Sequence, residues 1–269
     1  MSAAAGGRKK KTVTKENDIG AIERGDKPLS VTGHLTELRS RLLTVLAAIC
    51  LATAIPFIAA GDRVLKALTW PFYHSGINQP LYVFNLTEGF MLQLKACLVA
   101  GIVIVFPLVV QQIWSFIKPA IDREKRGFYR GIIISSILLF YAGAGLTFFF
   151  LMPFAVKVLS EFTPQGMQTM FSSTDYLHFM LFFCVAMGAI AEMPMVIMIL
   201  TKLGLITPTF LVKKRKWAIV IIWIAAAVIT PTTDILTQTM VAVPLMMLYE
   251  ISIVLSKIMV IRARRRRAG

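Results

Sequence analysis

Between Leu42 and Ala60 the chain runs for nineteen residues without a charge. A helix of about 20 apolar residues crosses a ~30 Å hydrocarbon core, and five further apolar runs follow. They lie at about Phe90–Trp114, Gly131–Met152, Tyr176–Leu200, Trp217–Ile229, and from Ile235 until the pattern fades at Lys257. One water-soluble domain cannot bury so much apolar surface. Here 57% of residues are apolar and 16% charged, where soluble domains have roughly 45–50% and ~25%. The expected fold is all-α and integral to a membrane, with six transmembrane helices.

Prolines punctuate these runs. Pro56, Pro107, Pro194 and Pro244 fall inside them, while Pro153 and the Thr230–Pro231 pair are expected to end theirs. The fifth run is short, since thirteen helical residues rise about 20 Å. Thr237, Gln238 and Thr239 bring polarity into the first turns of the sixth, so a short fifth and sixth helix are expected to form a hairpin where the bilayer thins. Two polar stretches, Arg63–Gly89 and Lys157–Thr174, are expected as external loops.

A net charge of +15 would ordinarily raise the question of nucleic acid. Its placement answers it. On one side of the six runs lie nine Lys and Arg up to Arg41, five from Lys118 to Arg130, five from Lys202 to Lys216 and six from Lys257 to Arg267. The other side holds only Arg63, Lys66, Lys95 and Lys157. Basic residues accumulate on the cytoplasmic side, so both termini are expected inside and no nucleic-acid partner is implied. Membrane lipids are, because the run Arg264–Arg267 can meet anionic headgroups. The chain divides into a disordered basic tail over residues 1–29, a transmembrane domain over 30–258 and a basic cytoplasmic tail over 259–269.

No enzyme motif is present: there is no H-E-x-x-H, no G-x-S-x-G and no Walker A sequence. His34, His74 and His178 are scattered, and Cys50, Cys97 and Cys184 all sit in apolar runs, so no metal or other cofactor is expected. The informative residues are carboxylates, of which the chain has fourteen. Val31, Leu35, Leu38 and Leu42 recur at helical spacing and give an amphipathic helix entering the first span. Glu37 lies on its polar side one turn from Arg41, and the simplest reading is an i,i+4 ion pair of ~0.2–0.5 kcal/mol. Glu124 stands among Arg123, Lys125 and Arg126 in the first cytoplasmic loop. Glu192 is the hardest to explain as structure alone. It lies within an apolar run with no basic residue, where an ionisable group costs a few kcal/mol unless it faces a cavity or partner. Glu250, in the sixth run, could be relieved by Lys257.

At these same residues the sequence closely resembles the TatC family, the multispanning component of twin-arginine protein translocation. His34, Glu37, Arg39 and Arg41 fall on the family's H-L-x-E-L-R-x-R-L pattern. Gln112, Trp114, Phe116 and Pro119, followed by Glu124 and Arg126, match its first cytoplasmic loop. Further matches are Phe140, Tyr141 and Gly143, Glu192 with Pro194, the basic run Lys213–Arg215, and Thr230–Pro231 through Asp234, Gln238 and Pro244. They occur in order from about residue 30 to 256. Two departures are an N-terminal extension of about 28 residues and the Thr232–Thr233 pair before Asp234.

The resemblance implies a receptor and core subunit in the bacterial inner membrane, not an enzyme. Such a receptor binds the twin-arginine signal peptides of folded precursors at its cytoplasmic face. It recruits TatA- and TatB-like single-span partners into an oligomeric complex, and export is driven by the proton-motive force. Glu37 and Glu124, with Arg39 and Arg126, are the implied signal-peptide site. Guanidinium groups pair best with carboxylates in a planar fork. Glu192, Gln238 and Asp234 are the implied intramembrane polar positions for partner docking, with Glu192 expected to be exposed on a concave membrane face. The alternative from another class is a proton-coupled small-solute carrier using Glu192. It needs a cavity and commonly an internal repeat, and residues 42–155 and 176–255 show none.

Overall fold

The structure is a computed structural model that describes residues 31–77, 79–117, 126–163, 169–230 and 234–268. The basic tail over residues 1–29 and Glu124 lie outside the described residues. Nine α-helices are described: α1 (Val31–Tyr73), α2 (Glu88–Ile117), α3 (Arg126–Leu146), α4 (Met152–Glu161), α5 (Ser173–Ala191), α6 (Met193–Lys202), α7 (Pro208–Lys213), α8 (Arg215–Ile229) and α9 (Ile235–Ala268). Two-residue strands β1 (Leu81–Tyr82) and β2 (Phe171–Ser172) pair in parallel. The chain divides into two units, Met1–Thr44 and Val45–Gly269. The described part of the first is the opening of α1.

Five stretches are long and apolar enough to cross a membrane: Thr36–Tyr73, Glu88–Ser115, Gly131–Glu161, Ser173–Lys202 and Ile235–Arg262. The protein is a mostly helical, multi-pass membrane protein. Helix α8 has 15 residues and rises about 22 Å, short of a ~30 Å core, as the sequence predicts.

The sixth expected span is a correction. Helix α9 is not short; it has 34 residues and continues through the basic stretch to Ala268. Lys257 and the following arginines end the apolar pattern but not the helix, because Lys and Arg are good helix formers and cations suit a helix C-terminus. Its polar first turn is folded into the helix too, with Thr239 Oγ1 donating to the Ile235 carbonyl at 2.6 Å.

Prolines break fewer helices than expected. The first run does end at Ala60, whose backbone leaves the helical region (φ −153°, ψ 25°). The chain then resumes as helix to Tyr73, with Pro71 inside it, where a loop was expected. Pro153 likewise does not end the third run. A π-helical turn at Thr147–Leu151 joins α3 to α4, and the Met152 N–H donates five residues back to the Thr147 carbonyl. The wider turn accommodates a proline that lacks its own donor.

The two polar stretches between the helices are built on one another. Besides the β1–β2 pair, the Tyr176 hydroxyl donates to the Leu68 carbonyl at 3.1 Å. Glu88 accepts from the Phe84 and Asn85 N–H groups at 2.6 and 3.1 Å, and from the Thr174 hydroxyl at 2.5 Å. One carboxylate thus caps α2 and ties it to the start of α5.

The core centres on α5, where Leu177, Met180, Phe183 and Met187 are buried against Phe72, Val241 and Leu245. Lipid is as apolar as leucine, so membrane helices associate through close packing and interhelical hydrogen bonds. Both occur here. Thr201 and Ser256 share a hydrogen bond of 2.9 Å between α6 and α9. Helix α3 meets α5 at Gly143, where a Cβ would lie 2.6 Å from the Ala191 Cβ and 3.0 Å from the Met187 carbonyl oxygen. Gly143→Ala is therefore expected to cost about 1–3 kcal/mol through overpacking. Gly145→Ala, with nothing within 4 Å, should cost nothing. Thermal unfolding of the two variants in detergent checks this, and equal melting would contradict the close approach.

Candidate functional site

Glu37 lies on α1 and is paired to Arg41. Glu37 Oε1 accepts from Arg41 Nη2 at 2.5 Å and from Nε at 3.2 Å. The side chains are 29% and 22% exposed, respectively, so the pair is reachable from solvent. The i,i+4 reading of the sequence is what forms. Arg39, two residues earlier, is exposed. Arg126 begins α3. Glu124, the remaining member of the implied site, lies outside the described residues.

Glu192 occupies the break between α5 and α6, with φ −70° and ψ −10°. Its N–H reaches the Ala189 carbonyl at 3.2 Å, and its own carbonyl accepts from Met195 and Val196 at 2.9 and 3.0 Å. Pro194 follows at the start of α6, and the fourth apolar run is broken here into α5 and α6. The side chain turns towards α3, where the buried Ser136 hydroxyl donates to Glu192 Oε2. Oε1 is buried with no hydrogen-bond partner among the described residues.

That arrangement corrects the expectation of an exposed Glu192 on a concave face. A groove of about 760 Å³ does run between α2, α5 and the end of α8, but Glu192 is not part of its lining. The reason is local. Ser136 faces the kink across the close-packed α3–α5 contact, and a carboxyl gains more from that hydroxyl than from lipid.

Gln238 and Asp234 form a separate cluster at the start of α9. Gln238 Nε2 donates to the Trp223 carbonyl at 3.0 Å, fastening α9 to α8. Asp234 caps α9, accepting from the Thr237 N–H at 2.8 Å and its hydroxyl at 2.5 Å. Capping residues of this kind satisfy the free N–H groups of a first turn. Neither residue meets Glu192.

Glu250 pairs with Arg215 at 2.6 Å, not with Lys257. Both partners are half exposed. Sequence reasoning missed three positions: Ser136, Arg215 as the partner of Glu250, and the Glu88–Thr174 tie. Ser136 had a signal, being a polar residue in an apolar span with no helix-end role. The other two depend on which helices become neighbours, which no local spacing records. Among the described residues no group of His, Cys, Asp and Glu could hold a metal ion.

The family model of the Sec-independent protein translocase protein (TatC) matches residues 33–244, from the Glu37 helix through the α8–α9 hairpin. The chain belongs to the TatC family. A TatC of Aquifex aeolicus is 39% identical over 86% of this chain and 95% of its own length. One of Carboxydothermus hydrogenoformans is 35% identical over 86% and 94%. A crystal structure described as the twin arginine translocase receptor TatC superposes with a TM-score of 0.74 at 36% identity, covering 84% of this chain and 98% of that one. As a TatC, the chain is a component of the Sec-independent protein translocase, a transport protein of the bacterial membrane.

Proposed function

We propose that this TatC is the receptor and core subunit of its translocase. Its cytoplasmic face binds twin-arginine signal peptides through Glu37 and Glu124, with Arg39 and Arg126 beside them. The observation that carries the reading is the Glu37–Arg41 pair. Glu37 already holds a guanidinium of its own chain in a solvent-reachable position. Exposed pairs of this type are worth about 0.3–0.5 kcal/mol, so an incoming arginine can exchange with Arg41 at small cost. A second carboxylate, Glu124, then serves the second arginine.

In this reading the helices form six spans with both termini inside: the five long stretches and the short α8. The tail over residues 1–29 and the basic end over 259–269 are cytoplasmic, flanking a transmembrane domain over 30–258. Glu192, Gln238 and Asp234 serve the docking of TatA- and TatB-like single-span partners within an oligomeric complex of the inner membrane, and the proton-motive force drives export.

Crosslinking to a twin-arginine precursor tests the receptor role. Strong crosslinks near residues 37 and 124, lost when the two arginines become lysines, are expected; equal crosslinking of both precursors would overturn it. Orientation has its own test. With single cysteines and an impermeant thiol reagent on whole cells, positions 9, 126, 214 and 265 should stay unlabelled, while 62, 161 and 234 should label. External labelling at 126 or 214 would end the six-span topology.

A further inference from the structure

Two adjoining cavities on the loop side of the molecule share Lys95 and Asp175. One is the groove of about 760 Å³, within the ~300–1,000 Å³ typical of ligand sites. Its walls are apolar except for Lys95, Asp175, His178 and Thr230, all towards the end of their helices nearest the external loops. The other is a polar pocket of about 360 Å³, lined by Glu88, Ser172, Thr174 and neighbouring residues of the β1–α2 segment. A small polar chamber therefore opens onto a larger apolar trough, with one ammonium and one carboxylate at the junction.

The dimensions select the occupant. Along α5 the lining runs from Asp175 to Val185, ten residues or about 15 Å. That is half of a ~30 Å hydrocarbon core, the depth of one leaflet. A partner's transmembrane helix would need a trough running the whole thickness. A lipid needs one leaflet, with its polar end at the interface and its chains below.

The charges select the headgroup. Lys95 has neither an ion-pair nor a hydrogen-bond partner among the described residues, although it lies seven residues inside α2, and charged groups in such segments pair or mark a functional site. Asp175 and His178 are exposed, and Glu88 is already engaged by Thr174 and the β1–α2 backbone. A phosphate can pair with Lys95 while a primary ammonium on the same headgroup pairs with Asp175. A headgroup carrying phosphate alone would face the Asp175 and Glu88 carboxylates without compensation, and a trimethylammonium has no N–H to donate.

We propose that this double cavity is a binding site for an aminophospholipid of the leaflet on the loop side, with its phosphate on Lys95, its ammonium on Asp175 and an acyl chain in the trough against Leu98 and Phe182. The site is independent of the signal-peptide reading.

The test is native mass spectrometry of the full-length protein in detergent, offered phosphatidylethanolamine, phosphatidylglycerol and phosphatidylcholine in equal amounts. Phosphatidylethanolamine should be retained preferentially. Lys95→Gln should lower its retention about tenfold, the loss of one charge-assisted hydrogen bond. Asp175→Asn should erase its preference over phosphatidylcholine and improve phosphatidylglycerol. Leu98→Trp, at an exposed position, should block the trough for all three without lowering the melting temperature of delipidated protein. Equal retention of the three lipids by the wild type would overturn the proposal, as would unchanged retention by both Lys95→Gln and Leu98→Trp. Loss of single-span partners with intact lipid retention would assign the groove to a protein instead and overturn it as well.

Discussion

Glu37→Ala and Glu124→Ala are each expected to weaken a twin-arginine peptide by about 10- to 150-fold, while insertion and abundance stay at wild-type levels. The magnitude is that of one charge-assisted hydrogen-bonded pair, about 1.5–3 kcal/mol. Reversal to arginine should be worse than alanine, because it adds repulsion to the lost pair. The Glu37–Arg41 geometry adds a variant of opposite sign. If the peptide's guanidinium displaces that of Arg41, then Arg41→Ala removes a competitor and should hold or tighten binding. A peptide titration on purified protein at two salt concentrations measures each variant, with higher salt narrowing the differences. Wild-type affinity in both alanine variants would place the site elsewhere, and a large loss in Arg41→Ala would mean that Arg41 itself contacts the peptide.

The membrane architecture was legible because it rests on length and hydropathy, which are properties of contiguous sequence. The run Leu42–Ala60 and the short α8 emerge where the sequence puts them. The misread boundaries have a common cause. Pro153 and Lys257 mark the ends of apolar runs in the sequence, yet a proline can be absorbed by a π-helical turn and a lysine merely ends the apolar surface. Neither residue says what the backbone does next. The site was legible only in part for a related reason. Glu37 and Arg41 are four residues apart and find each other within one helix. Glu250 and Arg215 are separated by 35 residues, and Ser136 and Glu192 by 56; such pairs follow from helix packing, which hydrophobic spacing does not specify.

Glu192→Ala is expected to abolish export while leaving signal-peptide binding intact, and Ser136 makes the reason separable. The carboxyl is held from one side only: Oε2 takes the Ser136 hydroxyl, while Oε1 is buried without a partner. Leaving a polar atom unsatisfied costs about 1–3 kcal/mol, so a partner's membrane helix whose docking opens the α5–α6 break and brings a polar group to Oε1 would recover that energy, about 5- to 150-fold in affinity. If docking is the role, Ser136→Ala spares the docking atom and should keep most export, and Glu192→Gln, which still offers a carbonyl and gains donors, should keep much of the partner association. Glu192→Leu should lose it without early melting. If the α3–α5 tie is the whole role, Ser136→Ala and Glu192→Ala should instead lower thermal stability alike, by the worth of one interhelical bond, ~0.6 kcal/mol on average in membrane proteins, and impair export alike. Thermal unfolding in detergent, together with co-purification of a single-span partner, distinguishes the two. A Glu192→Leu protein that melts early yet co-purifies its partner normally would leave Glu192 as a structural residue, because a docking carboxyl cannot be replaced by an alkyl group without loss of the partner.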